Sequence, residues 1–417
     1  MKKIVLSLAG VMAAAAFAPE ASAIPAFARQ TGMACSACHA QHFPVLNGFG
    51  RAFKAGGYTM MGAQEKVEGE HVSIPTALNQ AILIKARYQK TNGSTADAVS
   101  GTTTNSGQWQ VPDEFSLFVG GRVADSDTVK VGNLIEYDLT KNKVAGVRIP
   151  VVFDLDAAKL SAIVFATGQG PVSGYTESSN GVNSAMRWSE AGAGISAYIW
   201  SGLSKADATG VAFVAKNDMG YVNLSRFAPA FLMGGSAGRQ LASTTLSLNV
   251  TPTVADFAVV AGVDLISGQN YEAAATTKVE TKATAMNAQA HGEVGGMEAG
   301  FYATYVSIPA TTTAMTNAYN ANGFDKKGFT FGADFTVIPH ALSVGAAYRN
   351  GKTGSTASET DNAITVSVIY DLFQNVALHA AYTQNSGTAY DAGGSLDKTA
   401  TTSTGTSLLT LMLESAW

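Results

Sequence analysis

Two cysteines and a histidine stand together near the start of the chain, in Cys35-Ser36-Ala37-Cys38-His39. The 417 residues hold no other cysteine. A C-x-x-C-H run is the attachment signature of a c-type haem. The spacing has a physical basis: two thiols one helical turn apart reach the two vinyl groups of one porphyrin, and the next residue presents its imidazole to the iron. Thioether bonds then hold the haem even on a segment too small to bury it well. The same cysteine spacing also serves thiol–disulfide exchange. The adjoining histidine and the export signal described below favour haem. The expectation is one covalent haem c on Cys35 and Cys38, with His39 as the proximal iron ligand.

The opposite haem face has several candidate ligands. Met60 and Met61 lie far enough along the chain to fold back over it, and His71 would give a bis-imidazole iron. His42 is too close to His39 to reach that face easily, so it fits a propionate contact or plain exposure. The choice matters because Met/His ligation raises the haem potential. Of the remaining histidines, His291 and His340 are expected in a solvated loop and turn. His379 shares parity with lumen-facing residues of its strand. No Ser/His/Asp pattern stands out, and no phosphate-cradling glycine loop leads into a lysine. Gly234-Gly235 reads as a pair of barrel glycines, and Asp361 and Asp391 read as solvated loop charge.

The elements that carry these groups divide unevenly. Residues 1–23 read as a secretory signal, with Lys2 and Lys3, an apolar stretch from Ile4 to Ala18, and Ala21-Ser22-Ala23 for cleavage. That stretch is shorter than the ~20 residues a membrane-spanning helix needs. Residues 24–70 form the expected haem-bearing unit, whose first part holds Arg29, Arg51 and Lys54 and no acid. Phe43, Leu46, Phe49 and Phe53 recur at spacings of three and four, which suits a short amphipathic helix broken near Gly56-Gly57. Residues 65–77 read as a linker.

Residues 71–417 follow a different rule. Charged residues make up only 14% of the chain and the mean hydropathy is slightly positive. Soluble domains ordinarily carry ~25% charge. After the signal no apolar run is long enough for a spanning helix. Apolar residues instead alternate with others, as at 82–88, 115–123, 131–139, 246–250, 257–265, 329–337, 342–348, 364–370 and 376–382. Tight connections at 124–127, 251–255, 338–341 and 373–375 contrast with long polar ones at 90–113, 168–190, 268–296, 307–327, 350–361 and 384–403. Outer-membrane barrels sort their connections in this way. Leu409, Leu411, Leu413 and Trp417 share one parity of a last strand that ends on an aromatic residue.

The fold expected is therefore mainly β: a transmembrane antiparallel β-barrel of about 16 strands, with a small N-terminal helical c-type haem domain. An even strand number places both ends of the barrel on the periplasmic side. A lumen of this size is water-filled and admits the haem unit as a plug, its basic residues meeting acids such as Glu136 and Asp138. A net charge of −4 argues against a nucleic-acid partner.

The N-terminal unit resembles the fused outer-membrane monohaem cytochrome–porins of the ferrous-iron-oxidase type. The likeness rests on Phe27-Ala28-Arg29-Gln30-Thr31-Gly32 leading into Cys35 to His39. It continues through Phe43-Pro44-x-Leu46, Phe49-Gly50-Arg51-x-Phe53-Lys54 and Gly57-Tyr58. The resemblance implies an outer-membrane protein of a Gram-negative bacterium, with its haem at or in the pore. Extracellular Fe(II) would be the electron donor and substrate, and a soluble periplasmic cytochrome the acceptor. A haem-porin exporting electrons to an external acceptor, and a passive porin with a haem plug, are the alternatives.

Overall fold

The computed structural model describes residues 25–40, 45–62, 64–93, 105–178, 196–231, 240–271, 278–396 and 405–417. The expected signal segment, His42, Phe43 and the Gly234-Gly235 pair lie outside these described residues. The alternating stretches fold into sixteen antiparallel strands. They are β1 (Gln80–Thr91), β2 (Gln108–Asp125), β3 (Val129–Asp138), β4 (Lys143–Leu155), β5 (Ala158–Thr167) and β6 (Ala208–Asn217). The series continues with β7 (Gly220–Ala228), β8 (Ser243–Val250), β9 (Phe257–Ser267), β10 (Ala283–Val294) and β11 (Met297–Ile308). It ends with β12 (Lys326–Ile338), β13 (Leu342–Lys352), β14 (Asn362–Phe373), β15 (Val376–Ser386) and β16 (Ser407–Ala416).

Each strand pairs with its sequence neighbours, and β16 pairs with β1 through Leu411 opposite Tyr88 and Leu413 opposite Ala86. The sheet is thereby closed, which leaves no unpaired edge. Strands built on period two present one parity outward. Along β16, Leu411 and Leu413 are exposed outward, while Thr410, Met412 and Glu414 are buried inward. Phe329, Phe331 and Tyr348 cluster on the outer face of β12 and β13. A barrel with apolar residues outside and polar ones inside inverts the arrangement of a soluble protein. Among the described residues, no helix is long and apolar enough to cross a membrane.

The sorting of connections holds around the whole barrel. Tight turns at 126–128, 156–157, 218–219, 251–256, 295–296, 339–341 and 374–375 share one end. The connections at the other end are longer, apart from 139–142. Both barrel termini, Gln80 and Ala416, lie at the tight-turn end.

Three expectations need correction. Residues 268–296 are not one long loop, because β10 runs through them. Its outward positions include Ala288 and Ala290, so the apolar contrast that marks a strand is weak. The lumen is also not simply a water channel. Val172 and Tyr175 of the long 168–207 connection, with Tyr198 and Leu203, pack against Ile163, Phe165, Val306 and Ile308 of the inner wall. Residues 66–75 form a small hairpin, Lys66–Gly69 against Val72–Pro75, where a plain linker was expected.

Candidate haem-attachment site

The N-terminal unit is organised around the C-x-x-C-H turn. Helix α1 spans Pro25–Thr31, and a single 3₁₀ turn, Cys35–Ala37, follows. The amides of Cys38 and His39 both donate to the Cys35 carbonyl, at 3.0 and 2.9 Å. The two cysteines thus sit one turn apart with His39 next in line. His39 forms an antiparallel bridge with Leu46, which leaves Leu46 outside the following helix.

That helix, α2, spans Gly48–Ala55, close to the expected stretch. Asn47 caps it, accepting from the Gly50 amide at 2.9 Å. The same side chain donates to the carbonyls of Ser36 (3.2 Å) and Ala37 (3.1 Å). One residue therefore starts the helix and clamps the cysteine turn to it. Gly50 completes the fit: a β-carbon there would lie 2.1 Å from the Cys38 carbonyl oxygen. Phe27, Phe53 and Tyr58 form a small aromatic core, with ring centroids 5.2 to 5.9 Å apart. Asn47→Ala is expected to cost roughly 1–2 kcal/mol, the upper range for a lost helix cap. Limited proteolysis in urea would report it as earlier cleavage of the segment from an intact barrel.

The unit sits inside the tight-turn end of the barrel. Ala26 packs on the inward residues Ala81, Leu83, Phe118 and Ala416. Gly57 abuts Pro150 and Val152 of β4, and Gly48 abuts Ala258 of β9, nearly across the mouth. Gln30, fully buried, holds the pieces together. Its side-chain oxygen accepts from Asn79 and the Arg122 amide, and its amide donates to the carbonyls of Tyr58 and Met60. Deeper in the lumen, α2 meets residues 169–178. Lys54 donates to the Thr176 carbonyl and lies 5.6 Å from the Tyr175 ring centre, and Arg51 faces Glu177 at 4.0 Å.

Glu177 corrects the expected partners. Asp138 is occupied by Lys141 and by the Thr140 and Lys141 amides. Glu136 accepts from Ser116. The carboxylate that meets the basic unit comes from a long connection with no periodic signal.

Cys35, Cys38 and His39 are each half-buried, and burial pushes the Cys38 thiol up from its ordinary pKa. The same unit leaves three apolar residues exposed: Met33 at 38%, Phe49 at 41% and Met60 at 36%. Two thiols and an imidazole on one turn, with exposed apolar residues on the same unit, fit the donor set and apolar faces of a haem c.

The other candidates are placed differently. His71 lies at the tip of the small hairpin with its side chain 92% exposed, beside Glu70. Met60 and Met61 stay close to α1, because Gln30 fixes the Met60 carbonyl and the Gly62 amide donates to the Gln30 carbonyl. His291 is not solvated: it lies on the inner wall of β10, with Nε2 3.2 Å from the Tyr302 hydroxyl. His379 faces inward on β15, and His340 is exposed in its turn. Asp361 is buried rather than solvated, since Arg349, the Trp200 indole and the Tyr390 hydroxyl all donate to it. Asp391 is exposed.

Known structures share this architecture. The outer-membrane channel DcaP of Acinetobacter baumannii is similar at 13% identity and a TM-score of 0.50, over 82% of this chain and 97% of that one. An anion-selective porin from Comamonas acidovorans is similar at 11% identity and a TM-score of 0.50, over 82% and 99%. The fold is that of a porin-type barrel. OmpT of Vibrio cholerae is also similar, at 12% identity and a TM-score of 0.48, over 85% and 100%. No protein-family model and no curated protein matches the sequence.

Proposed function

We propose that this chain is an outer-membrane electron-transfer protein. One haem c is attached to Cys35 and Cys38 with His39 as proximal ligand. Electrons enter from extracellular Fe(II) and leave to a soluble periplasmic cytochrome. The observation that carries this reading is the position of the C-x-x-C-H turn. It is clamped by Asn47 and carried on a unit seated in the tight-turn mouth of a porin-type barrel. The outward apolar parity of the strands supports a lipid setting.

A bound haem supplies a one-electron couple between Fe(III) and Fe(II). The chain's own residues supply its address. Gln30, Ala26 and Gly57 fix the unit to β1, β2 and β4, and the aromatic trio stiffens it. One such centre cannot bridge a hydrocarbon core of ~30 Å alone. The barrel therefore has to bring the donor in from the long-loop side. Aqueous Fe(II) is small enough to enter by that route.

Stopped-flow mixing of the oxidised, detergent-purified protein with Fe(II) under argon tests the reading. Growth of the reduced α-band and a shifted Soret band are expected. A haem that remains fully oxidised in excess Fe(II) would rule out iron as the donor.

A further inference from the structure

We infer that Arg51 is the residue that receives a haem propionate; this rests on the haem attachment proposed above. Arg51 directly follows Gly50, the residue that packs on the Cys38 carbonyl, so its helix turn adjoins the attachment turn. The side chain is 6% exposed. A guanidinium carries five donors, yet Nη1 is buried with no hydrogen-bond partner among the described residues. The facing carboxylate, Glu177, stands 4.0 Å from Nε, beyond hydrogen-bond reach. Its oxygens are already engaged by Lys216 at 3.0 Å and by the Tyr175 hydroxyl.

A buried charged donor left without a partner is costlier than a neutral one. The local charge balance points the same way. Arg51, Lys54 and Lys216 converge where α2 meets residues 175–177, and Glu177 is the acid they share. Burial, and to a lesser degree the nearby Arg148 charge, bring the Lys54 pKa down to about 8. A further anion would offset part of this excess of positive charge. A porphyrin tethered at Cys35 and Cys38 brings two carboxylates on one edge, and arginine suits planar, bidentate carboxylate recognition. Lys54 is less suited, being already held by the Thr176 carbonyl and the Tyr175 ring.

The test compares wild type, Arg51→Gln and Arg51→Lys as haem-loaded full-length proteins. Its readouts are spectroelectrochemical titration and the propionate-bending bands in resonance Raman. Loss of the cation favours the ferric haem, so Arg51→Gln should lower the potential. The expected size is a roughly tenfold change in the ferric-to-ferrous ratio, ~59 mV for one electron. Its bending band should shift, and Arg51→Lys should recover the potential but not the band. A glutamine variant with wild-type potential and an unmoved band would overturn the assignment. If that variant loads no haem, Arg51→Lys decides alone: an unmoved band overturns the assignment and a shifted one supports it. A wild-type chain that carries no haem removes the underlying reading itself, a result distinct from both.

Discussion

Replacing both Cys35 and Cys38 by serine is expected to give a folded barrel with haem staining reduced to background. A hydroxyl does not form the thioether, so nothing covalent remains to survive a denaturing gel. Neither cysteine lies on a barrel strand, and closure depends on the β16–β1 ladder. The heat-dependent mobility shift of a closed barrel should therefore be unchanged. Each single serine variant keeps one sulfur and should load haem weakly. Pyridine haemochrome spectra of matched protein amounts provide the check. A double variant that stains like wild type would show that these sulfurs hold no haem.

The second large effect is expected at Glu177. Its side chain is fully buried, and Lys216, Tyr175 and Arg51 surround it. Its backbone is fixed as well, accepting from the Gln289 side chain and donating to the Tyr221 hydroxyl. Glu177→Ala leaves buried cations without their acid. Breaking a buried pair in this way typically costs 3–5 kcal/mol. The loss falls on the contact between the N-terminal unit and the lumen rather than on the strand ladder. The expected outcome is a unit that protease clips in native membranes while the barrel stays protected. Glu177→Gln keeps the shape and should be intermediate. Equal protease resistance in Glu177→Ala and wild type would contradict a latch at this carboxylate.

These two sites differ in how far they could be read in advance. The C-x-x-C-H turn is local chemistry, legible from five adjacent residues. Asn47 is harder to read, because it falls inside the run of Phe43, Leu46, Phe49 and Phe53 that suggests the helix, whereas the helix starts only at Gly48. Glu177 leaves no signal, because its partners Arg51 and Lys216 lie on separate elements brought together by barrel closure. The sequence hides His291 and Asp361 for a related reason: each looks like loop polarity until a strand or neighbouring loop buries it.

The strands show the same division. Where the outer face is apolar and the inner one carries polar residues, as in β1, β12 and β14, alternation is plain. It fades in β4, whose Val144-Ala145-Gly146-Val147 and Ile149-Pro150-Val151-Val152-Phe153 are apolar on both parities. The reason is packing: Pro150 and Val152 turn inward onto Gly57 of the N-terminal unit, while Ile149 and Phe153 remain exposed outside. In β5 and β6, Phe165 and Val214 face inward into the cluster around Tyr175 and Tyr198. A filled lumen removes the polarity contrast that normally identifies a barrel strand.

One redox-active porphyrin, covalently tethered within a membrane-embedded barrel, is the claim on which the rest depends. It is tested most directly by haem-peroxidase staining of a denaturing gel loaded with salt-washed outer membranes. A single stained band is expected, close to the size of this chain and released from those membranes only by detergent. An unstained polypeptide, or a stained one that salt alone removes, would contradict it.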